Sequence, residues 1–208
     1  MLPFAVAMLA FPYVGRLLGR RYPSAYLLTL GLIVVGLGNA LTGWGAHRGV
    51  WSIVMVGMLV LGSGGGLLNG ETQKAIMSVV PRERAGMASG ISTTARFSGI
   101  LLGFAMLSGI LATAVRNILA ASFCDELRPC YLSSGFADAV VAGDLPQAVA
   151  GLTGVQRDIA IEHARIAYSG GFSAALMTAA LIAGISAGVV YLLMRKPGGK
   201  FRIHVKAD

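Results

Sequence analysis

The 208-residue chain is 55% hydrophobic and 12% charged, with a formal net charge of +8 and a mean hydropathy of +0.72. Soluble domains carry about 25% charged residues, so these values exclude a water-soluble globule and indicate an all-α membrane protein. The basic excess does not mark a nucleic-acid binder, because the cations sit between apolar runs or after the last one, where the positive-inside rule places them.

About five transmembrane helices are expected, near 1–18, 24–42, 51–73, 86–114 and 170–194. The first run is short for a bilayer crossing of about 20 residues, which suggests a helix that is longer in relatives. It has no basic stretch before it and no small-residue cleavage site after it, so no secretory signal is evident. Arg16, Arg20 and Arg21 follow, then Pro23, and Ser24 is a candidate N-cap for the second helix. Trp44 and Trp51 flank a loop expected from Gly43 to Val50 and suit the interfacial aromatic belt.

The third run is glycine-laced, with Gly62, Gly66 and Gly70 four apart. The elbow Pro81-Arg82-Glu83-Arg84 leads into a fourth run that carries Arg96. An outer loop is expected over 115–168, with helical pieces after Ser133 or Ser134 and from Val155 to Tyr168, and with Gly170-Gly171 as an interruption. A basic tail occupies 195–208.

Orientation follows from the cations. One side holds Arg16, Arg20, Arg21, Lys74, Arg82, Arg84 and the five tail cations, while the other holds Arg48, Arg116, Arg128, Arg157 and Arg165. The tail is therefore expected in the cytoplasm, and the outer loop and N-terminus on the far side.

Three residues carry candidate chemistry inside the apolar runs. Arg96 lies twelve residues past Arg84, which is roughly 18 Å along a helix and near mid-membrane. A charge there must face protein or water, so Arg96 is either a cavity residue or a lock between helices. Glu71 is the one acidic residue in or beside an apolar run. It is either a proton-titrating group or a helix-end carboxylate paired with Lys74, with Asn69 beside it. Gly62/Gly66/Gly70, Gly86/Gly90, Gly99/Gly103 and Gly184/Gly188 have the four-residue spacing that lets helices approach closely in lipid.

Other chemistries find no support in the pattern. The Gly62–Gly66 cluster lacks the Lys-Ser or Lys-Thr of a phosphate loop. The three histidines stand singly, so neither a metal site nor a catalytic set is expected, and no cofactor either. Cys124 and Cys130 share the outer loop, as a candidate disulfide or as two free thiols.

Several stretches resemble the C-terminal portion of a major facilitator superfamily transporter, of the fourteen-helix drug:proton antiporter branch. They are Leu2-Pro3 through Gly15-Arg16-Leu17, then Gly64-Gly65-Gly66-Leu67-Leu68-Asn69-Gly70. Val80-Pro81-Arg82-Glu83-Arg84-Ala85-Gly86-Met87-Ala88-Ser89-Gly90 and Thr94-Ala95-Arg96 complete the set. The resemblance implies a partial C-terminal bundle corresponding to helices ten to fourteen. It makes Gly15, Arg16, Arg20, Arg82 and Arg84 gating-loop candidates. One departure is Gly19, which stands where the family loop usually carries an Asp.

The resemblance implies a bacterial inner (plasma) membrane protein, not an enzyme, that exports drugs or other small organic compounds in exchange for protons. Its expected partners are the lipid bilayer, the small organic substrate, protons, and the missing N-terminal half or another membrane protein. Alone, such a fragment is not expected to transport. The alternative is a small non-transporting membrane protein that packs against a partner through glycine-rich helix faces.

Overall fold

The computed structural model describes residues 2–126, 134–149 and 154–195. Its helices are α1 (Leu2–Leu18), α2 (Ser24–Arg48), α3 (Trp51–Met77), α4 (Ala85–Glu126), α5 (Ser134–Ala142), α6 (Leu145–Ala148) and α7 (Val155–Arg195). A single 3-10 turn, Arg82–Arg84, precedes α4. The protein is an all-α membrane protein. α2, α3, α4 and α7 are long and apolar enough to cross a bilayer, and α1 is a shorter apolar helix. Contacts run α1 to α3, α3 to α2, α2 to α7 and α7 to α4. The helices thus form an open row with α1 at one end and α4 at the other.

The α2–α3 hairpin is the closest pairing in this row. A β-carbon added at Gly38 would lie 2.5 Å from the Leu61 backbone nitrogen, so only a bare backbone fits at that crossing. Two buried polar side chains on α2 are satisfied locally. Thr42 Oγ1 donates to Gly38 O at 2.7 Å, and Asn39 Nδ2 donates to Val35 O at 3.0 Å.

The structure extends α2 beyond the expected end at 42. Gly43 and Gly45 are buried helical residues, not loop. The turn falls at Gly49, whose φ of 67° is left-handed and costs glycine little. The Val50 N–H then closes on Gly45 O at 3.0 Å. At the other end of α2, Pro23 is the N-cap, no side chain caps the helix, and Ser24 is already its first residue.

The larger difference is on the far side, where a loop was expected over 115–168. α4 and α7 have 42 and 41 residues, or roughly 60 Å each, against a hydrocarbon core of about 30 Å. Their ends run on past the apolar spans. Neither helix contains proline, and no glycine interrupts α4 after Gly109. Gly170-Gly171 does not break α7. A β-carbon at Gly171 would meet Val115 Cγ2 at 2.8 Å and Leu111 O at 3.2 Å, so these glycines bring α7 onto α4.

The projecting ends are glued by apolar packing. Val115, Leu119, Ala137, Val140, Ala164 and Ala167 form one buried cluster, with Leu111, Ile118, Phe136, Val141 and Leu145 against it. α5 lies across α4 and α7 there, and Arg116 Nη2 bonds Asp138 Oδ1 at 2.5 Å. The seam on α7 is built of small residues, with Ala160, Ala164 and Ala167 at most 2% exposed. Small side chains at steps of four and three permit this approach. Ser134 opens α5; Ser133 lies outside the described residues.

Candidate functional site

The site begins where α1 crosses α3. Gly62 and Gly66 form the crossing surface. A β-carbon at Gly62 would meet Phe4 O at 2.6 Å, and one at Gly66 would meet Met8 O at 3.0 Å. Pro12 lies inside α1, and its Cδ is 3.2 Å from the same Gly66 position. Gly70 continues the sequence spacing but has nothing within 4 Å of a β-carbon, so the close approach ends before it.

Past this crossing, α3 buries Glu71, which is 3% exposed. Its Oε1 is 3.6 Å from Lys74 Nζ, one helical turn on, and its Oε2 has no hydrogen-bond partner. The lid over the pair is the end of α1 and the turn that follows it. A β-carbon at Gly19 would stand 2.7 Å from Lys74 Nζ and 3.0 Å from Glu71 Oε1, and one at Gly15 would stand 3.0 Å from Leu67 Cδ1. Burying a carboxylate with one oxygen unbonded is costly. Chemically, that oxygen is free to accept a proton or a hydrogen bond from a group that reaches it.

The other sequence candidates are not gathered here. Asn69 is half-buried and, two residues from Glu71, points roughly 200° away around the helix. Arg16 rests over the Tyr13 ring at 5.2 Å. Arg20, Arg82 and Arg84 are exposed. Arg96 lies on α4, also exposed, and no partner covers it among the described residues. Gly86, Gly90, Gly99 and Gly103 of α4, with Gly184 and Gly188 of α7, have open space where a β-carbon would be. A shallow groove of about 440 Å³ runs along α4, lined by Met106, Gly109, Ile110, Thr113, Ala114 and Asn117. Cys124 lies within α4, and Cys130, the other half of the expected disulfide, lies outside the described residues. So does any metal cluster that would need them; among the described residues no group of three His, Cys, Asp or Glu gathers.

Sequence reasoning treated Gly19 only as a missing acid, and overlooked it as the residue that covers Glu71. A signal was present. Gly15 and Gly19 are four apart at the end of α1, the small-residue spacing of a close helix approach, and the α3 side chains they meet are Leu67, Glu71 and Lys74.

No family model matches this sequence, and no solved structure matches it. The chain is 39% identical over 112 residues to the multidrug resistance protein Stp of Mycobacterium tuberculosis, covering 53% of this chain and 20% of Stp. It is 26% identical over 179 residues to the multidrug efflux pump LfrA of Mycolicibacterium smegmatis, covering 85% of this chain and 34% of LfrA. It is 29% identical over 116 residues to a triacylglyceride transporter of Mycobacteroides abscessus, covering 51% and 23%. The chain thus spans from 20% to 34% of the length of the curated relatives it matches.

Proposed function

We propose that the chain is the C-terminal portion of a major facilitator exporter of the fourteen-helix branch, which moves drugs or other small organic compounds outward in exchange for protons. The observation that carries this is the 39% identity over 112 residues to a multidrug resistance protein. Four bilayer-length helices are compatible with it. In this proposal the membrane is the bacterial inner membrane and the basic tail lies in the cytoplasm, as the distribution of cations favours.

Glu71 is the proposed proton-path residue, because it is a buried carboxylate with one oxygen unbonded. Its lid is the Gly15–Arg20 turn, the proposed gating segment. Asn69 is proposed to face the substrate path once the rest of a transporter surrounds it. Alternating access of this type rocks two bundles about a site between them, and one bundle cannot do this. The 208-residue chain alone is therefore proposed not to transport.

Ethidium efflux from bacteria tests the proposal. Cells expressing the 208 residues alone should accumulate ethidium like empty-vector cells. Cells expressing them fused behind the N-terminal remainder of Stp should export it, and a protonophore should stop the export. Export by the fusion that persists under the protonophore would reject proton coupling. A well-expressed fusion that exports none of a panel of cationic and lipophilic compounds would reject the transporter assignment.

A further inference from the structure

α4 carries a seam that no helix among the described residues fills. Ser89, Ser92, Arg96, Gly99, Gly103 and Met106 follow one another at alternating steps of three and four. The same steps continue through Ile110, Thr113 and Asn117, which line the shallow groove. Such spacing keeps a stripe on one side of a helix and matches two helices packed at a shallow left-handed angle. The stripe is mostly small or polar, as helix contacts in lipid are. It is not the side that meets α7: Leu111, Val115 and Ile118, which pack there, lie roughly a quarter-turn away around the helix.

Arg96 sits in this stripe, exposed and without a hydrogen bond or ion pair among the described residues. A guanidinium facing acyl chains near mid-membrane is costly, and such charges pair inside a bundle. The counter-charge cannot come from this chain. Its one acidic residue in an apolar run, Glu71, is buried under α1, and the rest lie in the elbow, the outer segment or the tail. A second copy supplies none at that depth either, and a symmetric contact through the stripe would set Arg96 against Arg96.

We infer that this side of α4 is a docking seam for a membrane-spanning helix from outside these 208 residues, carrying a carboxylate at the depth of Arg96 and small residues beside it. Stp and LfrA are several times as long as the stretches they share with this chain, so proteins of this kind have further chain to supply it. The seam stands on its own chemistry and is independent of what is transported.

The test reads helix association, not export. The 208-residue protein is placed in phosphatidylcholine vesicles, with and without added phosphatidylglycerol, together with a labelled single-span leucine–alanine peptide bearing one central Asp. An otherwise identical peptide with Leu at that position is the control, and association is read by energy transfer. The Asp peptide should bind about tenfold more tightly than the Leu peptide, the scale of interhelical polar contacts in lipid. Arg96→Gln should erase the difference, and Arg96→Lys should keep most of it. Gly99→Leu should weaken both peptides, while Ala105→Leu, on the opposite side of α4, should weaken neither. Circular dichroism checks that each variant stays helical; should Arg96→Gln not fold, the two peptides against the unaltered chain and Gly99→Leu still decide. Equal binding of the two peptides would overturn the proposal. So would a difference that survives Arg96→Gln, or an Ala105→Leu loss as large as that of Gly99→Leu. Arg96-dependent capture of phosphatidylglycerol in place of the peptide would assign the seam to lipid headgroups, and Arg96-dependent dimers would assign it to a second copy; either rejects it.

Discussion

Gly19 and Glu71 are in direct apposition: a β-carbon at position 19 would stand 3.0 Å from Glu71 Oε1. The turn that follows α1 therefore covers a buried carboxylate on α3, and the missing side chain makes the room. A second acid at position 19 would compete with Glu71 for Lys74. We expect Gly19→Asp to lower stability in detergent by about 1–3 kcal/mol, and Gly19→Asp with Glu71→Gln to recover most of it. Gly19→Ala should cost less, because the nearest atom, Lys74 Nζ, ends a flexible chain and can move. Thermal melts of the three variants in one detergent check the order, and an undisturbed Gly19→Asp would refute it.

Lys74 and Glu71 should respond unequally to removal. Lys74→Gln leaves a buried carboxylate without its cation, whereas Glu71→Gln removes the charge and keeps the volume. Breaking a buried pair on one side costs about 3–5 kcal/mol. Lys74 has a side chain 52% exposed and sits 3.6 Å away, so we expect about 1–2 kcal/mol for Lys74→Gln after solvent screening. Glu71→Gln should stay within about 1 kcal/mol. A double-mutant cycle read by chemical denaturation in micelles measures the difference; equal losses would contradict the burial asymmetry.

Identical chemistry at Gly62 and Gly70 should give opposite signs. Gly62→Ala pushes a methyl against Phe4 O, 2.6 Å from the β-carbon position, and α1 must shift. A loss of about 1–3 kcal/mol is expected, the usual scale of overpacking. Gly70→Ala meets nothing within 4 Å and gains helix propensity, worth up to about 1 kcal/mol in an exposed helix. Melting temperatures of the two variants should move in opposite directions.

The packing of α5 on α4 and α7 should depend on its apolar cluster more than on its ion pair. Leu119 is 0% exposed, and Leu→Ala at such a site costs about 2–5 kcal/mol. Arg116 and Asp138 are more than half exposed, so Arg116→Ala should cost no more than about 1 kcal/mol. Hydrogen exchange should show Leu119→Ala speeding the amides of α5, with those of the α2–α3 hairpin unchanged.

Much of the inner architecture was legible from the residues. The apolar spans, the Arg82–Arg84 elbow and the approach at Gly62 and Gly66 all followed from length, charge and four-residue spacing. Helix ends were less legible, because hydropathy marks where lipid stops and not where backbone hydrogen bonding stops. Thus α4 runs to Glu126 and α2 to Arg48, through polar or glycine-bearing stretches that resembled loops. Glycine was ambiguous in the same way. Gly171 pulls two helices together, Gly49 makes a turn, and Gly99 faces open space. Which of these holds depends on a neighbour distant in sequence, and spacing within one helix does not contain that information.

The unbroken length of α4 carries a mechanical implication. Forty-two residues without proline make a stiff rod of about 63 Å, anchored toward one end by the cluster around Val115 and Leu119 and free along its other half. Val115 lies about 30 residues, or roughly 45 Å, from the start of α4, so a tilt of about 10° there would carry the charged elbow sideways by roughly 8 Å. A small rearrangement at the far surface would therefore be felt as a large stroke at the opposite face, with the helix acting as a lever arm.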